Sequence, residues 1–382
     1  MLLFTPGPTP VPEELRWAMA APTIHHRTPE FESIFASTKA SLLALLGMQE
    51  VLMLASSGTG AMEACMATFC NNTALVINSG KFGERFAKIA TALGRSVHEI
   101  KHEWDTPANA NEILEALGKN PNIDAIFLQA CESAGGLRHP FEEIASKIKE
   151  YNPEIFVVVD CITALGVEFI DTHNIDAVIG GSQKAFMLPP GLSIIGLSEM
   201  AVRRIEQCNV GYYFNLANEL KNQRKNTTAY TPATTLIIGL AEYFQKVLID
   251  GFYHVYHTNK ARALGIQKAM QVLELQIYPK VPAIAMTTIA HEQADTLRKT
   301  LKSDFAVNLA GGQDHLKGKI FRINQMGLLP VHECAWVVNA IELALEKLKL
   351  RKFDGSANTA FLQTYYAEIN KQGHNNQPSS ST

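Results

Sequence analysis

The sequence predicts an α/β protein, a large domain built on a mainly parallel sheet followed by a smaller α+β C-terminal domain. Three observations lead there. Short apolar runs alternate with helix-length segments from about residue 50 to 200, and beyond about residue 255 the alternation gives way to long helices separated by short strands. The third is size: 382 residues, 47% hydrophobic and 19% charged, bury a large core and divide into two domains.

Taken in order, strands are expected at 51–54, 74–78, 125–128, 155–159, 177–179 and 193–197, each a short run rich in β-branched or aliphatic residues. Helical periodicity fills 62–69, 82–93 and 141–151. In the second domain a long helix is expected over 260–274, strands near 284–288 and 319–323, and a closing helix over 331–348. The domain boundaries follow: a large domain over 16–255, a small one over 256–365, and a polar tail over 366–382. Residues 372–382, rich in Gln, Asn and Ser, carry too little apolar surface to order themselves.

Composition narrows the function. A formal net charge of -3 and the lack of a long Lys/Arg run argue against nucleic-acid or membrane-surface partners and favour small molecules. No apolar stretch approaches the roughly 18 residues of a membrane span, and the Pro-rich start Met1 to Pro8 does not read as a signal peptide, so a cytoplasmic location is expected. The six cysteines show no CxxC pair, which points to packing and not to zinc or disulfides. His25-His26-Arg27 offers no converging ligand set, and no metal is expected. Lys221 to Lys225 reads as a solvated basic loop.

A parallel sheet places its ligand beyond the carboxyl ends of its strands, where three features fall. Asp160 ends the run Ile155 to Val159, and Lys184 follows Ile175 to Ile179 within Gly180-Gly181-Ser182-Gln183-Lys184. Adjacent strands would bring this carboxylate and amine to one edge, the pair that pyridoxal phosphate chemistry requires: a lysine for the Schiff base and an acid for the pyridinium proton. Such a lysine must also be free as a neutral amine to move a proton, so its pKa should be depressed by desolvation and nearby positive charge. The third feature is Ser56-Ser57-Gly58-Thr59-Gly60 between a strand and a helix, which suits a phosphate. Alone, each has a plainer reading: a solvated lysine, a turn aspartate, a serine-rich helix cap. A dinucleotide fingerprint fails because Glu63 stands where a third glycine or alanine belongs, and a P-loop fails for want of its lysine.

Together with Thr5-Pro6-Gly7-Pro8, Glu132-Ser133, Pro189-Pro190-Gly191, Thr231-Pro232 and Phe321-Arg322-Ile323, these motifs resemble the class V pyridoxal-phosphate-dependent aminotransferases, with the alanine–glyoxylate and serine–pyruvate subgroup nearest. The resemblance runs from about residue 3 to about residue 350. It implies the fold type I architecture of these transferases, with residues 1–15 as an arm near the active site. It makes Lys184 the Schiff-base lysine and Asp160 the pyridinium partner, with Ile162 and Phe82 on the two faces of the ring. Ser57, Gly58, Thr59 and Gln183 would hold the phosphate, and Ser133 would lie by the ring hydroxyl. Arg322, a planar two-pronged donor, would grip the substrate carboxylate beside Gly7. The resemblance further implies a homodimer with shared sites, in which Thr231 and Thr228 reach the partner's cofactor phosphate. Here the chain departs from the family: Thr228 stands where a tyrosine is common, and Tyr230 directly precedes Thr231.

The expected activity is transfer of an amino group from alanine, serine or aspartate to glyoxylate or pyruvate. Two rivals are kept. A lyase or cysteine desulfurase of the same fold would need a reactive thiolate, for which Cys334 is the one cysteine after Arg322. A non-catalytic partner-binding protein would be expected to have lost some of Lys184, Asp160 and Arg322, and all three are present.

Overall fold

The computed structural model describes residues 1–371. Its strands in chain order are β1 (Leu2–Phe4), β2 (Glu50–Leu54), β3 (Thr73–Asn78), β4 (Ser96–Lys101), β5 (Ile123–Gln129), the two-residue β6 (Cys131–Glu132) and β7 (Leu137–Arg138), β8 (Phe156–Asp160), β9 (Ala177–Gly181) and β10 (Ser193–Leu197). The second half adds β11 (Gln276–Ile277), β12 (Met286–Ala290), β13 (Val307–Gly311) and β14 (Ile320–Asn324).

The large sheet has the order β2-β10-β9-β8-β5-β3-β4. All its strands run the same way except β10, which is antiparallel to both β2 and β9. Both faces are covered: Met53, Ile126, Leu128, Val157 and Val159 enter one core, and Leu52, Leu54, Phe127 and Val158 the other. Double burial explains the continuous apolar runs in the sequence. The exception is β4, whose Ser96-Val97-His98-Glu99-Ile100-Lys101 lies at the sheet edge, alternates, and stays half-exposed, so it lacked the apolar run that marked its neighbours.

The order of strands reverses between β3 and β5, because β4 adds on one side of β3 and the chain then returns to its other side. A crevice opens beyond the carboxyl ends at such a reversal. The ends of β5 and β8 are in register, Gln129 opposite Asp160, with β9 alongside.

The second sheet has the order β1-β13-β14-β12-β11. Its edge strand β1 comes from the amino terminus and pairs parallel with β13, placing Phe4 in the small-domain core beside Leu309 and Phe321. The long helix here is Gly251–Val272, longer at its start than the expected 260–274. The helix Val331–Lys347 does not close the fold, since Ser356–Asn370 follows it. Residues 366–370 are therefore helical and not the start of a tail. Phe361 is buried against the small-domain core, and Glu368 is paired with Lys260 at 3.0 Å and with Lys371. The rest of the expected tail, 372–382, lies outside the described residues. Among the described residues no helix is long and apolar enough to cross a membrane.

Candidate active site

A cavity of about 300 Å³ opens at the strand reversal. Five strand-to-helix or strand-to-loop junctions of the large sheet line it: Ser57, Gly58 and Thr59 after β2, Phe82 and Arg85 after β3, Cys131 and Ser133 after β5, Asp160 and Ile162 at the end of β8, and Gln183 and Lys184 after β9. Gly7 and Pro8 of the arm complete the wall.

Lys184 is fixed by the loop between β9 and β10. Ser182, fully buried, donates from its hydroxyl to the Pro189 carbonyl at 2.7 Å and accepts the Leu192 amide, tying the two ends of the loop together. The arm crosses the lysine. Thr9 donates its hydroxyl to the Lys184 carbonyl at 2.7 Å, and the amine donates to the Pro6 carbonyl. Gly7 sits at φ +117°, and a β-carbon there would come within 2.8 Å of the Lys184 amine, so only glycine lets the arm lie this close. Desolvation lowers the amine to about 8, with the Arg322 charge acting in the same direction against Cys131, Asp160 and Glu132.

Asp160 is buried, and desolvation raises its carboxyl to about 6. The Ile162 amide, bonded at 2.9 Å, and the charges of Lys184 and Arg85 oppose this. Ile162 in turn reaches the start of helix Gly58–Phe69, where a β-carbon on Gly58 would lie 2.1 Å from its Cδ1. Ser57 provides no side-chain cap to that helix. Gln183 Oε1 is buried with no hydrogen-bond partner.

Phe82 is held through its backbone amide by Glu132 of the Glu132-Ser133 motif, which had no assigned role. Glu132, fully buried, accepts the amides of Phe82 at 2.9 Å, Gly83 at 3.1 Å and Ala134 at 3.0 Å, and so binds the first turn of helix Lys81–Ala92. Desolvation raises its carboxyl to about 7 against these bonds. Its signal in the sequence was an acid four residues past the expected strand 125–128; nothing there showed which amides it would meet.

Arg322, on β14, does not line the cavity. It lies behind Ser133, donating from Nη1 to the Ser133 carbonyl at 2.7 Å and from Nε and Nη2 to the Gly311 carbonyl at 3.2 and 2.7 Å. Thr228 and Thr231 are not brought to the cavity either. Together with Tyr213, Phe214 and Tyr230 they line a separate, narrow pocket, where the Thr228 hydroxyl donates to the Tyr230 carbonyl. Arg85, Cys131 and Thr163 line the main cavity without having been singled out in the sequence, and so does Pro190 of the motif Pro189-Pro190-Gly191, which had no assigned role. His25 and His26 stack on each other at 4.7 Å, and among the described residues no group of side chains could hold a metal. Cys334 is buried in helix Val331–Lys347, its thiol pushed up to about 11 by desolvation.

The sequence profile of the family described as Aminotransferase class-V matches residues 11–314. The chain belongs to the class V aminotransferases. This aminotransferase is 54% identical over 96% of its length to the whole of an uncharacterised aminotransferase of Helicobacter pylori. It is 26% identical to a serine–glyoxylate aminotransferase of Hyphomicrobium methylovorum, with 94% of each chain covered. Among solved structures, an aspartate aminotransferase of subgroup IV from Thermus thermophilus superposes with a TM-score of 0.85 at 29% identity, covering 91% of this aminotransferase and 99% of that chain.

Proposed function

We propose that this aminotransferase carries pyridoxal phosphate on Lys184, acts as a cytoplasmic homodimer with shared sites, and moves an amino group from alanine, serine or aspartate to glyoxylate or pyruvate. The observation that carries the reading is the pairing, in one cavity, of a desolvated amine lowered to about 8 with the buried carboxyl of Asp160. The cofactor suits what surrounds them: an uncapped helix start at Ser57 to Thr59 for an anion, and Phe82 and Ile162 for an aromatic ring. The names of two relatives support the choice of substrates, serine and glyoxylate in one and aspartate in the other.

Bound there, the cofactor supplies an electron sink for the bond broken at the substrate Cα. Asp160, buried in the cavity wall, would hold a proton on its ring nitrogen. Lys184, neutral above about pH 8 in the desolvated pocket, would take the proton from the substrate Cα and return it two atoms along, to the cofactor's C4′ carbon. Arg322 has donors left over after its bonds to Ser133 and Gly311, and these receive the substrate carboxylate. In the dimer, Thr228 and Thr231 would reach across to the partner's phosphate. A desulfurase reading finds no support in Cys334, which is buried and held protonated.

Single-turnover half-reactions over a panel of amino acids, followed by the visible absorbance of the cofactor, test this reading. Alanine, serine or aspartate should convert the bound cofactor at the highest kcat/KM, with glyoxylate or pyruvate restoring it. Release of sulfide from cysteine without such exchange would overturn it.

A further inference from the structure

Arg85 is a half-buried cation on the cavity wall that neither the family resemblance nor the reaction uses. It projects from helix Lys81–Ala92, one turn after Phe82, so the two side chains share a helix face. Its guanidinium carbon lies 4.7 Å from the Phe82 ring centroid, and Nη1 donates to the Thr59 hydroxyl at 3.0 Å. Among the described residues no carboxylate pairs with it. Glu84, its neighbour, is taken by Lys81 and Lys88. The other groups around the helix start, Ser57, Gly58, Thr59 and Gln183, are neutral, and Lys184 is the one further cation of the lining.

A half-buried guanidinium with no carboxylate bonded to it, Asp160 acting on it only through its charge, favours an anion beside it. The bond to Thr59 also has a direction. A hydroxyl that accepts from Arg85 turns its own proton elsewhere, and the uncapped start of helix Gly58–Phe69 is where an anionic acceptor is favoured.

We propose that Arg85 is the charge partner of the cofactor phosphate, supplying the positive charge that the neutral cup lacks, orienting the Thr59 hydroxyl toward the phosphate, and bracing Phe82 from its far side. The inference rests on the proposed binding of pyridoxal phosphate in this cavity. It makes Arg85 a group that discriminates phosphorylated from unphosphorylated cofactor, and not one that acts on the substrate.

The test compares the binding of pyridoxal phosphate and of pyridoxal to apoprotein, by absorbance and by quenching of intrinsic fluorescence. The readout is the ratio of the two dissociation constants, which cancels any general loosening of the pocket. In Arg85→Gln the preference for the phosphorylated form should fall about 10- to 100-fold, the loss of a charge-assisted hydrogen bond. Arg85→Lys, which keeps the charge, should retain most of it. Orthophosphate should compete with pyridoxal phosphate on the wild-type protein and lose that ability in Arg85→Gln. Should Arg85→Gln fold poorly, Thr59→Val, which removes the hydroxyl that Arg85 orients, should lower the same ratio. An unchanged ratio in both variants overturns the proposal while leaving the cofactor reading intact. Failure of the wild-type protein to bind either compound overturns the cofactor reading itself.

Discussion

On the large-domain side of the cavity Asp160, Glu132 and Lys184 stand at or just beyond strand ends with pKa values displaced to about 6, 7 and 8; on the arm and small-domain side, Gly7 and Arg322 are placed by contacts with main-chain atoms or by the space those leave. The first group is shaped by desolvation within one rigid sheet. The second is assembled across the molecule: β1 locks the arm into the small-domain sheet, Thr9 bonds the Lys184 carbonyl, and Arg322 bonds the Ser133 carbonyl. The difference separates two jobs. Under the proposed function, proton chemistry belongs to the large sheet, while aim at the substrate belongs to the seam between the two sheets.

Asp160→Asn should break the sheet side most severely. The half-reaction with alanine should slow by about 10²- to 10⁴-fold, the range for a lost acid or base group. The same substitution should raise the thermal midpoint of the apoprotein at pH 7. The sign follows from the direction of the shift: folding raises the carboxyl from 3.8 to about 6, so stability falls as pH rises through that window, and at pH 7 the wild-type protein carries the whole burden of the buried charge. Below 3.8 the two proteins should converge. A lower midpoint for the variant at pH 7 would sink the desolvation account.

Arg322→Lys should break the other side. It replaces a planar fork by a point charge and loses the paired bonds to Gly311, and kcat/KM should fall about 10- to 100-fold, mostly through KM. The absorbance of the bound cofactor should not change. A fall confined to kcat would place Arg322 with the proton chemistry instead.

Glu132→Ala leaves three buried amides without their acceptor and should lower stability by about 1–3 kcal/mol in denaturant unfolding. If Phe82 owes its place to that carboxylate, cofactor affinity should fall as well. The smallest effect is expected at the exposed ion pair between the domains, Lys81 and Asp314 at 2.8 Å: Lys81→Met should change kcat/KM by no more than about twofold. A larger change would mean that the seam is clamped by charge and not by the arm.

The two sides also differed in how far they could be read from sequence. Strands of the large sheet buried on both faces write themselves as apolar runs, so Asp160 at the end of one and Lys184 shortly after another could be located with no knowledge of the fold. The half-exposed edge strand β4 has no such run and was missed. Glu132 and Arg85 were visible as letters, but their partners lie 50 and 26 positions away, a distance that local pattern does not bridge. The arm illustrates the same limit. Nothing in Leu2-Leu3-Phe4 says that it pairs with Val307-Asn308-Leu309. The contact that brings Thr5 to Pro8 over the lysine was available only through the family resemblance.

The central claim is that Lys184 carries the cofactor. Borohydride reduction of the purified protein supplied with pyridoxal phosphate, followed by proteolysis and mass spectrometry, tests it directly. A phosphopyridoxyl adduct on the peptide containing Gln183-Lys184, absent from Lys184→Ala, is the predicted result. An adduct on a different lysine, or a wild-type protein that gains no visible band and no adduct when given pyridoxal phosphate, would contradict it.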